Sequence, residues 1–244
     1  MDRKMILSIL AIGLLAFIGI MLLLPDENIE DQTPRLPWQV EQDGQGHTRV
    51  FGFTLGETTL GEIRRLFKEE GEVNLFARLS PDHQAVDYAV EAYFDQIYLN
   101  RIRGDFVIGI QADPATLGPM YERGLRISQL GSGAKKVKLD PADIATLETL
   151  PIAAITYLPW KSLDADIVAK RFGAPAEKRL EPETGVSHWL YPDKGMDLAM
   201  DNKGGVVIQY VNRDGFADLI APLETPAKPA QTPGQAETEV QSPE

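Results

Sequence analysis

Cysteine is absent from all 244 residues. That excludes disulfides, thiolate nucleophiles, cysteine-based zinc sites and lipid attachment at an N-terminal cysteine, and leaves the redox compartment open. Histidine is scarce: His47, His83 and His188 are the only three. None lies in a His-Glu-x-x-His or His-x-His spacing, and no Gly-x-Ser-x-Gly elbow accompanies them, so the usual constellations for metal hydrolysis and serine catalysis are missing. Basic residues are also in deficit. With 24 Lys and Arg against 36 Asp and Glu, the formal charge of -12 opposes association with a phosphate backbone, and no nucleic-acid partner is expected.

One long apolar run is present. Met5 to Leu24 carries no charge, follows Arg3 and Lys4, and precedes Pro25 and a series of acids. About 20 helical residues span roughly 30 Å, the thickness of a hydrocarbon core. The basic flank puts the N-terminus in the cytoplasm and the residues after 25 outside. The run ends in Met-Leu-Leu-Leu-Pro and lacks a small-x-small cleavage site, so we expect an uncleaved anchor rather than a signal peptide.

Residues 25–47 are acidic, proline-containing and non-periodic, and are assigned to a tether; residues 222–244 hold repeated Pro, Thr, Gln, Ala and Glu and are expected to be disordered. About 175 residues lie between, the size of one domain. Leu60, Ile63, Leu66 and Phe67 form one helical stripe, with Thr59 and Glu62 at capping-box spacing and Gly71 as a stop. The β-rich runs "EVNLFARLS", "AVDYAVEAYF" and "QIYLNRIRGDFVIGIQA" follow, with Ser80-Pro81-Asp82 as a turn; they predict an antiparallel meander, giving a first unit over 48–112.

Asp113-Pro114 and Asp140-Pro141 predict two short helices flanking a hairpin, a connecting region over 113–156. A second helix, capped by Ser162, carries Leu163, Ile167 and Phe172 and stops at Phe-Gly-Ala-Pro. Short strands follow, separated by Pro192-Asp193-Lys194-Gly195 and Asp201-Asn202-Lys203-Gly204. They complete a second unit over 157–221. The two helices align at a spacing of about 104 residues, Glu62-Ile63 with Asp166-Ile167.

In the second unit Ile167, Phe172, Gly173 and Pro175, then Trp189 and Tyr191, Gly195, Leu198, Gly204 and Val206, resemble the SmpA/OmlA (BamE-like) and BLIP-like repeat families. The likeness covers about 157–212 and extends faintly over 52–111, where "KEEGEV" lacks the Gly-x-Pro. It implies small α+β modules with helices on one face of an antiparallel sheet, acting in the bacterial envelope by binding proteins. Unlike the BamE pattern, this chain has no lipidation cysteine.

Asp164 and Asp166 sit in a first helical turn, where the macrodipole stabilises acids without a ligand. "GSGAKK" lacks phosphate-loop spacing and reads as a hairpin turn. Arg64, Arg65 and Lys68 are interleaved with acids, which predicts a solvated helix face. Trp189 is assigned to the core; Trp160 remains open between core and exposed anchor. The candidate partner-binding residues are thus Trp160, Arg101 and Arg103, and no catalytic, metal or cofactor residue is expected.

The expected architecture is α+β: an N-terminal transmembrane helix, then two helix-plus-antiparallel-meander units joined into one globular region. The expected function is an inner-membrane-anchored periplasmic module that binds an envelope protein without turnover. One alternative is an envelope enzyme acting on a glycan or lipid through carboxylates, which needs a concave pocket with two perturbed ionisable groups. Another is a module for a lipid or apolar small molecule, which needs a dry cavity. The topology predicts that protease added to spheroplasts digests the folded region while a tag at residue 1 stays protected. Protection of the folded region would reverse it.

Overall fold

The computed structural model describes residues 35–80 and 85–224, so the segment 1–24 read as an anchor, the tail from 225 and the turn at 81–84 lie outside the described residues. No helix among the described residues is long and apolar enough to cross a membrane. The fold is α+β and its strand pairs are antiparallel.

A small sheet is formed by β1 (Glu41–Gln42), β2 (Thr48–Val50) and β3 (Phe53–Thr54). Helix α1 (Leu60–Phe67) follows, closed by the expected Thr59–Glu62 capping box. It stops at Lys68 in the left-handed conformation rather than at Gly71. The meander β4 (Glu72–Leu79), β5 (Val86–Leu99) and β6 (Ile102–Ile110) comes next. A break expected near Phe94 is instead a bulge between Phe94 and Ile97, with Gln96 at φ 55°, and β5 continues to a turn at Asn100-Arg101.

The connecting region contains α2 (Pro114–Glu122), the hairpin β7 (Arg126–Gln129) and β8 (Lys135–Lys138), and α3 (Pro141–Leu147), with Asp113 and Asp140 as caps. Strand β9 (Ile152–Pro159) leads into α4 (Ala165–Phe172), followed by β10 (Glu177–Leu180), β11 (Ser187–Tyr191), β12 (Met196–Met200), β13 (Val206–Val211) and α5 (Phe216–Glu224). Asp164, not Ser162, caps α4 by accepting from the Ile167 N–H. The buried members of α4 are Val168 and Phe172, whereas Ile167 is exposed. Thr59 and Asp164, Ile63 and Val168, and Phe67 and Phe172 therefore share an offset of 105 residues, one more than the sequence alignment of the helices suggests. The offset extends to the first residues of β4 and β10, after which three strands follow one helix and four the other.

The large sheet runs β10-β11-β12-β13-β9-β6-β5-β4-β8-β7. The hairpin β7–β8 extends the outer edge of β4 and does not join the units; β9 does, pairing with β6 on one side and β13 on the other. Phe67 stacks on Phe94 and Phe106, Tyr121 on Tyr88, and the Tyr191 hydroxyl donates to the Gly173 carbonyl, so α1, α2 and α4 cover one face. On the other face α5 lies against β12 and reaches β10 through an Arg179–Glu224 ion pair. The start of the presumed tail is thus helical to Glu224. The presumed tether is likewise folded from residue 35: Pro37 is buried and Trp38 packs edge-on against Phe172.

Phe51 seals the central seam. It sits in the β2–β3 turn at φ 55°, and its ring meets Phe106 of β6, Tyr157 of β9 and Tyr210 of β13 at 5.2, 5.3 and 5.7 Å. Tyr210 is fully buried and donates to the Pro37 carbonyl at 2.8 Å. We expect Phe51→Ala to cost about 3–5 kcal/mol in urea denaturation, as for other buried Phe truncations. Tyr210→Phe should cost about 1–3 kcal/mol, because the buried carbonyl loses its donor.

Candidate functional site

Two of the three residues singled out in the sequence meet on the surface. The antiparallel register sets Gly104 opposite Pro159, and one step on, the Trp160 N–H donates to the Arg103 carbonyl at 3.0 Å. The Arg103 guanidinium lies 3.9 Å from the centre of the Trp160 ring, within the range of a cation–π contact. Gly104 permits this approach, since a Cβ there would lie 2.5 Å from both the Leu158 carbonyl oxygen and the Tyr157 ring. From beneath, the Tyr157 hydroxyl donates to the Arg103 carbonyl. Burial pushes that phenol up to about 12, so it remains a donor across the physiological range.

Asp105 organises the rest. Its carboxylate accepts from the Trp160 indole N–H at 2.8 Å, the Gln96 backbone N–H at 2.9 Å and the Tyr93 hydroxyl at 3.2 Å. The bulge in β5 aims the Gln96 amide at Asp105, and the Gln96 side-chain oxygen accepts from Arg103. Burial alone would push the Asp105 carboxyl up; the donors from Gln96, Trp160 and Tyr93 and the Arg103 charge outweigh it and hold the carboxyl low.

The ring faces remain exposed. Trp160 is 50% exposed, Tyr98 71% and Tyr93 40%. Tyr93 pairs across the sheet with Val107, and Asp105 with Leu158; Val107, Leu158, Thr156 and Val207 are half-buried on the face opposite α1, α2 and α4. The aromatics therefore rim a broad, partly apolar sheet face. Arg101 sits beside this group in the β5–β6 turn, exposed, without an ion pair among the described residues. Sequence reasoning missed Tyr93, Tyr98, Gln96 and Asp105. Strand alternation could have grouped Arg103 with Asp105, but the bulge changes the phase of β5 and hides the tyrosines.

The other candidates fall elsewhere. Asp164 is an N-cap, and "GSGAKK" forms part of the β7–β8 turn and the start of β8. Arg64 departs from the expected solvated face: its side chain is largely buried and ion-paired with Glu148 and Glu70. His83 lies outside the described residues. His188 faces away from Trp189 and is buried, with Nδ1 2.7 Å from Asp197 and Nε2 3.3 Å from Glu181. Burial pushes the Asp197 carboxyl up against the pull of His188. Both residues lie on the same face of the sheet as the exposed aromatics, displaced along it to β11 and β12, where α5 packs.

Compared with protein-family models, curated proteins and solved structures, the chain matches none. Its site is therefore defined by geometry alone. Because Asp105 is held below its ordinary value, its carboxylate contributes stability above the unfolded pKa, and this is lost as pH falls through the folded value. We expect the Trp160 indole resonance to shift on acidification with its midpoint below 3.8, the ordinary Asp value. Asp105→Ala should show the released position at every pH in the same nitrogen–proton correlation spectra.

Proposed function

We propose that the chain is a non-catalytic protein-binding or scaffolding module of the bacterial envelope, docking its partner through the Trp160–Arg103 surface. In this reading residues 5–24 hold it in the inner membrane and the residues after 25 are periplasmic. The helix-then-meander plan, with its common offset of 105 residues, supports a pair of BamE/BLIP-like units fused through β9.

The observation that carries the proposal is that Trp160 and Tyr93 are exposed aromatics held in fixed positions. Trp160 is fastened by the indole hydrogen bond, the stacked guanidinium and its own backbone N–H, yet half its surface faces solvent. Trp, Tyr and Arg are the residues that dominate binding energy at protein interfaces, and rigid rings lose little entropy on docking. Arg101 adds positive charge at the rim of an acidic protein, which favours a partner segment with carboxylates at the matching edge.

The enzymatic alternative would draw on His188 and Asp197, a buried pair with one perturbed carboxyl. Both groups are buried at the α5 end of the same sheet face, where His188 also meets Glu181, so they favour packing of that end over chemistry on a substrate, with Asp197 Oδ1 making no hydrogen bond among the described residues.

A photocrosslinking residue at Tyr98 in the full-length chain, expressed in its own envelope, tests the docking surface. One abundant envelope protein should be captured there, reduced about tenfold by Trp160→Ala and absent from a crosslinker at Leu180, an equally exposed position on β10. Equal capture at both positions, or insensitivity to Trp160→Ala, would reject it.

A further inference from the structure

The turn between β1 and β2 carries a second cluster, far in chemistry from the aromatic site. Asp43 ends the first strand's extension, and its Oδ1 accepts the backbone N–H groups of Gln45 and His47 at 2.7 and 2.8 Å. This fixes the carboxylate, so that Oδ2 stands 2.8 Å from His47 Nδ1. Glu57, arriving from the loop after β3, places Oε1 3.7 Å from the same nitrogen. The ligand atoms of all three residues lie within 4.8 Å of one another.

We propose that Asp43, His47 and Glu57 form a divalent-cation site of the zinc class, with a further coordination position open to water. Zinc takes His nitrogen at about 2.0–2.1 Å and carboxylate oxygen at about 2.0–2.2 Å, which sets tetrahedral ligand atoms about 3.4 Å apart. The two distances from Nδ1, 2.8 and 3.7 Å, bracket that value, and the carboxylate oxygens lie within 4.8 Å of each other, so side-chain rotation brings the three atoms to tetrahedral spacing. The imidazole selects for a borderline metal over calcium or magnesium, which favour all-oxygen shells.

Charge and rigidity argue the same way. Among the described residues, the ion pairs of both carboxylates run to this one imidazole. Two carboxylates converge on one imidazole, and a divalent cation between them relieves their mutual repulsion. The two arms are anchored independently: the Gly56 N–H donates to the Ile152 carbonyl, and the Thr48 N–H donates to the Asn212 side chain. Bending of the loop toward His47 uses Gly56 at φ 86°, where a Cβ would touch the imidazole at 3.6 Å. A cleft of about 470 Å³ opens on His47, its other walls including Gln45, Gln111, Asn212, Arg213 and Asp214. Bound metal would clasp the β1–β2 turn to the loop that leads into α1.

The test is calorimetric titration of the full-length chain, stripped with chelator, with zinc ions alone at neutral pH. One equivalent should bind in the micromolar range, and the melting temperature should rise. His47→Ala and Glu57→Gln should each weaken binding about tenfold or more and abolish the melting shift. Acidification should weaken binding too, because the ligand is the neutral imidazole. Glu57→Gln is the decisive variant: the side chain is 62% exposed, so the change leaves the fold intact even where His47→Ala disturbs the hairpin. Absence of zinc uptake, undiminished binding in Glu57→Gln, or equal uptake of calcium would overturn the proposal.

Discussion

The seam between β6, β9 and β13 is the constraint on which the other features rest. Three aromatic side chains, one from each strand, meet the ring of Phe51, and that ring comes from a separate small sheet. Burial of so much aromatic surface at one point makes the two halves of the large sheet a single cooperative body, with edge-to-face contacts adding to the area term. It also explains why the β2–β3 turn accepts a left-handed phenylalanine: the local cost is offset by placing the ring where all three strands can reach it. The same seam recruits the chain from residue 35, because the buried Tyr210 hydroxyl needs an acceptor and the Pro37 carbonyl supplies it.

The exposed site is a consequence of that seam. Pairing of β6 with β9 fixes Trp160 beside Arg103, and Tyr157, whose ring belongs to the seam, reaches the Arg103 carbonyl with its hydroxyl. The bulge in β5 then aims the Gln96 N–H at Asp105, which in turn holds the indole. Trp160 is thus connected to the core through the Arg103 carbonyl that Tyr157 also holds, and Tyr93 joins it at Asp105. Such fastening is what distinguishes a prearranged binding surface from scattered surface aromatics, whose loose side chains would lose entropy on docking.

Local signals in the sequence were informative where one residue decides the outcome. Thr59, Asp113 and Asp140 cap helices as their spacing predicts, and Trp189 lies in the core to which it is assigned from sequence. Where several segments compete, the sequence was less legible. Ser162 and Asp164 are both able to cap, and only the burial of Val168 shows which turn begins the helix. The role of β9 depends on two partners remote in the chain, so the hairpin "LRISQLGSGAKKVKL" looked equally suited to join the halves. Trp160 and Arg103 were identifiable as candidates from residue type, but their stacking depends on strand register, and Arg101 was grouped with them by proximity alone. The acidic, proline-containing stretch from 35 to 47 reads as a linker because its two anchors, Pro37 and Trp38, are too few to create a periodic pattern.

The central claim is that the Trp160 surface is occupied in the cell by a protein. Given the proposed inner-membrane anchoring, hydrogen–deuterium exchange of the full-length chain, compared between its native membranes and purified detergent solution, addresses it most directly. The account predicts slower exchange in native membranes for amides around 96–105 and at 160, with no change along β10. Exchange that is identical in the two settings across the β5–β6 turn and Trp160 would contradict it.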